Sequence, residues 1–369
     1  MVRWGIIGAG RVAHDFVCAL RTLPEASVTS VSSRNGGRAE AFAQSHSIES
    51  FTNSYEALLA REDVDVCYVG TPNASHVDIS IAAMAAGKAV VCEKPLGCDT
   101  ADVDRLIQHW NLSDTFCMEA MWMRFMPLIR RAHQLIQQGE IGVPLHMQAD
   151  FTIPTAFDPA SRFFSKDLGG GCLLDRGVYG ISLAHLLFGK PVAVQSDALI
   201  GTTGVDEQTV VHLRHDDPDA VLSTITCGLR TYGSNDVTIM GTEGVLRIGK
   251  PFICPEYIKL DRFAKPIDAA LPNHQVSVKS RRRVPRIVQP LIVRAKLLKQ
   301  IFRSSANCIF QPHACNGYEY EACEVNRCLR EGLRESPLMP LSDSRAVSET
   351  IDAARQSFGS NTETVMCHN

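Results

Sequence analysis

The residues best placed to do chemistry open the chain. Gly8-Ala9-Gly10-Arg11-Val12-Ala13 forms a G-x-G-x-x-A turn at the end of an apolar run and leads into a helical pattern through Leu20. This spacing suits a dinucleotide. Gly8 permits the tight bend, Gly10 lets backbone approach a pyrophosphate, and Ala13 lets the helix pack close to the strand. The helix start, with Arg11 and Val12, presents free N–H groups and partial positive charge to the phosphates. The next β-branched run, 27–33, ends without the acidic residue that would accept ribose hydroxyls; it offers Ser33 and Arg34, with Arg38 one turn later. A hydroxyl beside guanidinium groups suits a 2′-phosphate, so NADP is expected, with NAD as the alternative.

Two further polar segments follow buried apolar runs. Thr71-Pro72-Asn73, with His76 beyond, follows 64–69, and Glu93-Lys94-Pro95 follows 89–92. Ligands of open α/β sheets lie beyond the carboxyl ends of the strands. Asn73 and His76 are therefore expected near the nicotinamide end, with Thr71, Pro72 and Glu93 around the nucleotide. Lys94 is expected in a catalytic role, and Lys94-Pro95 is a candidate cis peptide. The cluster 119–125 supplies Trp122 and Arg124 as pocket walls.

The elements that must position these residues follow from length and periodicity. A chain of 369 residues with 45% hydrophobic and 21% charged residues implies two domains of ordinary globular composition. A net charge of −3 speaks against nucleic acid as a partner. The thirteen cysteines form no C-x-x-C pair, which points to reduced thiols in a cytoplasmic protein. The first strand begins at residue 3, leaving no room for a leader, and no apolar run is long enough to span a membrane. No His/Cys/Asp cluster has metal-ligand spacing, so no metal is expected. The alternation of strand and helix through residue 120 predicts a doubly wound parallel sheet. After a helix at 126–138, strands are predicted at 143–153, 192–200, 208–214, 221–229, 234–240 and 244–248, with helices at 172–188, 318–332 and 342–358.

Together, the glycine turn, Thr71-Pro72-Asn73 with His76, Glu93-Lys94-Pro95, Glu119-Ala120-Met121-Trp122 and Asp175-Arg176-Gly177-Val178-Tyr179 resemble the glucose–fructose oxidoreductase / inositol dehydrogenase / rhizopine catabolism (Gfo/Idh/MocA) family. Within it they are most similar to the branch of dimeric dihydrodiol dehydrogenase and NADP-dependent D-xylose dehydrogenase. The resemblance implies an α/β fold: a Rossmann domain (1–120), then an α+β domain with a large, mostly antiparallel sheet (121–345), then a C-terminal helix and tail (346–369). It implies a homodimer built on one face of that sheet and a Lys/Tyr catalytic pair mapping to Lys94 and Tyr179.

Asp175 and Tyr179 stand i, i+4, so a helix would put both on one face. A tyrosine is a poor base at neutral pH, and a nearby ammonium such as Lys94 is expected to lower its pKa. Tyr179 would then take a proton from a substrate hydroxyl while hydride passes to nicotinamide. Asp175 would bind a neighbouring hydroxyl or hold the lysine, and Arg162, just ahead of three glycines, joins Trp122, Asp175 and Tyr179 as a substrate contact. His185 is expected to pack.

Residues 271–315 depart from the resemblance. They contain no Asp or Glu, and Lys and Arg residues crowd 279–303. Three readings stand: a solvated loop, a cap favouring an anionic substrate, or peripheral contact with an anionic membrane through a basic amphipathic helix. The expected activity is NAD(P)-dependent oxidoreduction at a secondary alcohol or hemiacetal carbon of a sugar-like or cyclic diol. The alternatives are a non-catalytic NADP-binding regulator or redox sensor, and a lyase or hydrolase using bound nucleotide as a transient oxidant.

Overall fold

Strand β1 (Val2–Ile7) is apolar and buried through its second half, and it is the centre of the first sheet. A computed structural model describes residues 1–216, 220–263 and 307–358. The basic segment at 279–303, with its three readings, lies outside the described residues.

The first sheet is parallel, in the order β3-β2-β1-β4-β5-β6. Its other strands are β2 (Ala26–Ser32), β3 (Ser50–Thr52), β4 (Val66–Val69), β5 (Ala89–Glu93) and β6 (Cys117–Ala120). Every residue of β4, β5 and β6 is buried, as expected of strands covered on both faces. Helices α1 (Arg11–Leu20), α2 (Gly36–Ser45), α3 (Tyr55–Leu59), α4 (His76–Ala85) and α5 (Thr100–Asn111) supply the crossovers. Helix α1 buries Ala13, Phe16, Val17 and Leu20, an i, i+3, i+4, i+7 stripe, against this sheet. The Phe16 ring stacks on Tyr68 at 3.9 Å. Each such buried aromatic is worth about 1.5–3 kcal/mol of apolar transfer.

The order 3-2-1-4-5-6 reverses between β1 and β4, which places the crevice for a nucleotide beyond Ile7 and Val69.

After α6 (Pro127–Gln137), the chain builds an eight-stranded sheet in the order β14-β13-β12-β11-β7-β10-β9-β8. Its strands are β7 (Pro144–Thr152), β8 (Ala193–Ile200), β9 (Asp206–His215), β10 (Val221–Gly228), β11 (Val237–Gly241), β12 (Gly244–Ile248), β13 (Tyr257–Arg262) and β14 (Cys308–Phe310). All neighbours are antiparallel except β7 and β10. The expected strands are present with shifted ends, and β3, β13 and β14 come in addition.

Residues 172–188 are not one continuous α-helix. A π-helical turn, Leu173–Gly177, precedes α7 (Val178–Phe188). Such widened turns are often found at functional sites. Gly180 presses α7 onto the sheet, where a Cβ would lie 2.6 Å from Ile225 Cγ2. Helices α8 (Tyr318–Arg330) and α9 (Leu341–Ser357) complete the fold; α8 packs on α1, and α9 lies against α5, α7 and β8. No helix among the described residues is long and apolar enough to cross a membrane.

Candidate active site

The nucleotide cradle follows from backbone needs. Gly8 has φ +105°, and a Cβ there would sit 2.5 Å from the Gly70 carbonyl oxygen, so no side chain is admitted. At Gly10 a Cβ would meet only Gly70 O, at 3.8 Å, which leaves open space in front of the turn. Gly10 caps α1 without a side chain, and the first turn holds no acidic residue. These N–H groups, with Ala9, Arg11 and Val12 around them, fit a pyrophosphate. At the end of β2, Ser33, Arg34 and Asn35 stand where an acidic residue would exclude a 2′-phosphate. Asn35 caps α2 by accepting from the Arg38 N–H at 3.1 Å. The Arg34 and Arg38 side chains are exposed, and among the described residues neither guanidinium has an ion pair. The residues present therefore fit a phosphorylated dinucleotide.

Thr71 and Pro72 follow β4 and lead into a single 3-10 turn, Asn73–Ser75. Asn73 is buried and donates from Nδ2 to Gly169 O at 2.9 Å, tying this turn to the three-glycine loop. His76 is a correction. It is wholly buried, and its ring nitrogens lie 2.8 Å from Pro95 O and from Thr71 O. It braces from within the two loops that end β4 and β5. The Lys94-Pro95 peptide is cis.

Lys94 leaves the end of β5 and reaches the π-helical turn. Its Nζ donates to the Asp175 carbonyl at 2.6 Å and to Asp175 Oδ1 at 3.3 Å, and it lies 4.7 Å from the Tyr179 ring centroid, over the ring face. Arg162 Nη1 donates to the same Oδ1 at 2.8 Å. Burial pushes the Asp175 carboxyl up, but Lys94, Arg162 and Arg176 more than offset it and hold the group well below the usual carboxylate range. Arg176 points inward and is bound by Ile153 O, Gly228 O and Thr155 Oγ1.

Tyr179 is 5% exposed, and its Oη accepts a hydrogen bond from Trp122 Nε1 at 2.9 Å. The expected lowering of its pKa does not hold. Burial and the neighbouring Glu93 and Asp175 carboxylates push it well up, against the Trp122 bond. The group is therefore held as the protonated phenol at neutral pH. Glu93 accepts from Tyr68 Oη at 2.5 Å and from the Lys94 N–H at 3.2 Å. Burial raises its pKa, opposed by those bonds and by Lys94.

Arg124 is a second correction. Its side chain is 1% exposed, and its donors go to Ser182 Oγ (2.9 Å), Ser182 O (3.1 Å) and Asp343 Oδ2 (2.5 Å). It fastens α7 to the start of α9, with its guanidinium taken up inside the protein. His185, expected to pack, does so with its Nε2 2.9 Å from Thr350 Oγ1.

Several site residues escaped sequence reasoning. Phe151 meets Tyr179 edge-on at 5.5 Å, Phe252 meets Phe151 at 5.9 Å, and Tyr318 stacks on Trp122 at 4.3 Å. Each is an aromatic in an ordinary core pattern, and nothing local marks it as part of a site. Trp122 and Phe151 contact Tyr179 directly, and Phe252 is buried behind Phe151.

The chain matches two family profiles: an oxidoreductase family with an NAD-binding Rossmann fold over residues 2–120, and the GFO/IDH/MocA C-terminal domain over 129–247. It is 34% identical to a trans-1,2-dihydrobenzene-1,2-diol dehydrogenase of Danio rerio over 97% of each chain. The corresponding protein of Homo sapiens is 32% identical over the same shares. Among solved structures, a 3-ketoreductase from Actinomadura kijaniata in complex with NADP and TDP-benzene superposes with TM-score 0.77 at 23% identity, covering 97% of this chain and 98% of that one. A levoglucosan dehydrogenase in complex with NADH and levoglucosan superposes with TM-score 0.76 at 20% identity, covering 96% of each chain. The chain belongs to the Gfo/Idh/MocA family of oxidoreductases that bind a nicotinamide dinucleotide on a Rossmann fold.

Proposed function

We propose that this protein is an NADP-preferring dehydrogenase/reductase acting at a secondary alcohol or hemiacetal carbon of a cyclic diol or sugar-like substrate, with Tyr179 carrying the proton and Lys94 assisting. The observation that carries this reading is the convergence of the Lys94 ammonium on the Tyr179 ring face, 4.7 Å from its centroid, with Asp175 holding the lysine and Trp122 holding the phenolic oxygen. The nucleotide supplies the hydride acceptor or donor at its nicotinamide ring.

The chain's own residues supply the rest. Gly8, Ala9, Gly10, Arg11 and Val12 hold the pyrophosphate, and Ser33, Arg34 and Arg38 hold the 2′-phosphate. Thr71, Pro72, Asn73 and Glu93 border the nicotinamide end. In the reducing direction Tyr179, kept protonated by its surroundings, gives its proton to the substrate carbonyl oxygen, and the ammonium stabilises the phenolate left behind. In the oxidising direction the same proton returns to Tyr179. Arg162, with one donor on Asp175, has others to offer a substrate oxygen. The Trp122 and Phe151 rings beside Tyr179 favour a ring-shaped substrate, in keeping with the diol dehydrogenase relatives.

On its outer face the eight-stranded sheet leaves Leu199 of β8 and Leu222 of β10 exposed at 65% and 53%. These side chains share the outer face with Gln195, Asp197, His212 and Arg214, and this mixed face is the surface proposed for a homodimer.

The test is the change in NADPH absorbance across a panel of cyclic dihydrodiols, pentoses, hexoses and their keto forms. The reading predicts turnover of at least one ring diol or sugar, lost in Tyr179→Phe. Full turnover by Tyr179→Phe on that substrate sinks Tyr179 as the proton carrier.

A further inference from the structure

Helix α8 is entered directly against the indole of Trp122. Gly317, just before it, has φ +100°, and a Cβ there would lie 2.5 Å from Met126 Cε and 3.0 Å from both Cys254 Sγ and Trp122 Cζ3. Asn316 Nδ2 donates to Asp15 O at 2.8 Å, which fixes this entry to α1, the helix behind the glycine cradle. The next residue, Tyr318, then lies flat on Trp122, with centroids 4.3 Å apart and planes 12° apart, while Phe16 of α1 meets its edge at 6.2 Å. The other end of this arrangement is the bond from Trp122 Nε1 to Tyr179 Oη.

We infer that Tyr318 is a positioning residue for proton transfer: by stacking on Trp122 it holds the indole N–H on the Tyr179 oxygen. The inference rests on Tyr179 being the proton carrier proposed above. An indole has two side-chain torsions, and a parallel ring at van der Waals distance removes the tilt that would swing its N–H away. The bond has two effects on Tyr179. It occupies one lone pair and so directs the phenolic hydrogen elsewhere, and it stabilises the phenolate relative to the phenol. Loss of the stack therefore has a sign. The phenol becomes harder to ionise, and the tyrosine limb of the alcohol-oxidation profile moves to higher pH.

The test begins with a readout that needs no substrate. The chain has three tryptophans, so three indole ¹⁵N–¹H signals, and Trp122→Phe assigns the relevant one. Tyr179→Phe removes the acceptor and defines the unbonded position. Tyr318→Leu is expected to move the Trp122 signal toward that position and to shift the rising, tyrosine limb up by roughly 0.5–1 pH unit. It is expected to lower kcat about tenfold with KM for NADP changed less than about twofold. Tyr318→Phe keeps the ring and is expected to restore both readouts. Should the leucine variant fail to fold, Tyr318→Met serves the same test. An indole signal unmoved in Tyr318→Leu overturns the positioning role whatever the substrate. A moved signal with an unmoved pH limb also overturns it. Full turnover by Tyr179→Phe instead overturns the proton-carrier assignment, and this inference with it.

Discussion

Lys94 and Asp175 join the two sheets: the ammonium at the end of β5 donates to the carbonyl and carboxylate of a residue in the π-helical turn, at 2.6 Å and 3.3 Å. Neither sheet alone holds the lysine over Tyr179. The Lys94–Tyr179 arrangement exists only when the nucleotide-binding layer and the antiparallel layer are docked, and Asp175 is one of the contacts between them, with Asn73 and Gly169 another. Its carboxylate also accepts from Arg162, so the lysine is held without being fully neutralised.

Replacing the lysine tests that relationship. Lys94→Met keeps most of the side-chain volume and removes the charge that stabilises a phenolate. Turnover is expected to fall by roughly 10²–10⁴-fold, the usual worth of a placed proton-transfer group. Dinucleotide affinity should change far less, because the cradle is built from the turn after β1. Stopped-flow turnover and fluorescence titration of NADPH separate the two.

Asp175 makes a prediction in pH. Its folded pKa lies below the ordinary aspartate value of 3.8, so its charge contributes stability that is fully present above that value and is lost as pH falls below it. Asp175→Asn lacks this component. The variant should be less stable than the parent at pH 6, and the gap should narrow as pH falls toward 2. Urea midpoints measured across that range check the sign. A gap that widens toward acid contradicts it.

The residues chosen for a 2′-phosphate give a prediction in cofactor preference. Arg34 and Arg38 have no ion pair among the described residues, and Asn35 rather than an acid caps α2. Arg34→Asp with Arg38→Ala removes two charge-assisted contacts, each worth about 1.5–3 kcal/mol, and adds an acceptor for ribose hydroxyls. The kcat/KM ratio of NADP to NAD is expected to drop by at least about 100-fold. A ratio that stays put removes these arginines from the nucleotide site.

What the sequence disclosed and what it hid follow from distance along the chain. The glycine turn, the buried strands and the polar strand ends are local patterns, and each is found where its periodicity puts it. Asp175 and Tyr179 were expected on one helix face, and both do meet Lys94, although the intervening turn is π-helical. The fates of His76 and Arg124 depend on partners no local pattern names. Arg124 is bound by Asp343, 219 residues away, and His76 by the carbonyl that follows a cis peptide. The direction of the Tyr179 shift is hidden from the sequence for a related reason. The favourable Lys94 charge is legible in a local motif, while burial and the Glu93 carboxylate, which act against it, appear only once the chain is folded.

Arg124 provides the check on that correction. A buried guanidinium bonded to Ser182 and Asp343 holds α7, and with it Tyr179, against α9. Arg124→Met removes these bonds and strands the Ser182 carbonyl, while Asp343, which is 42% exposed on its side chain, can turn to solvent. Breaking a buried pair costs about 3–5 kcal/mol, and the solvent access of Asp343 puts the expected loss at the lower end, near ~3 kcal/mol. If Arg124 instead touched the nucleotide, the variant would raise KM for NADPH and leave the unfolding midpoint alone. The structure predicts the opposite pattern: a lower midpoint in thermal and urea unfolding, with KM for NADPH changed less than about threefold.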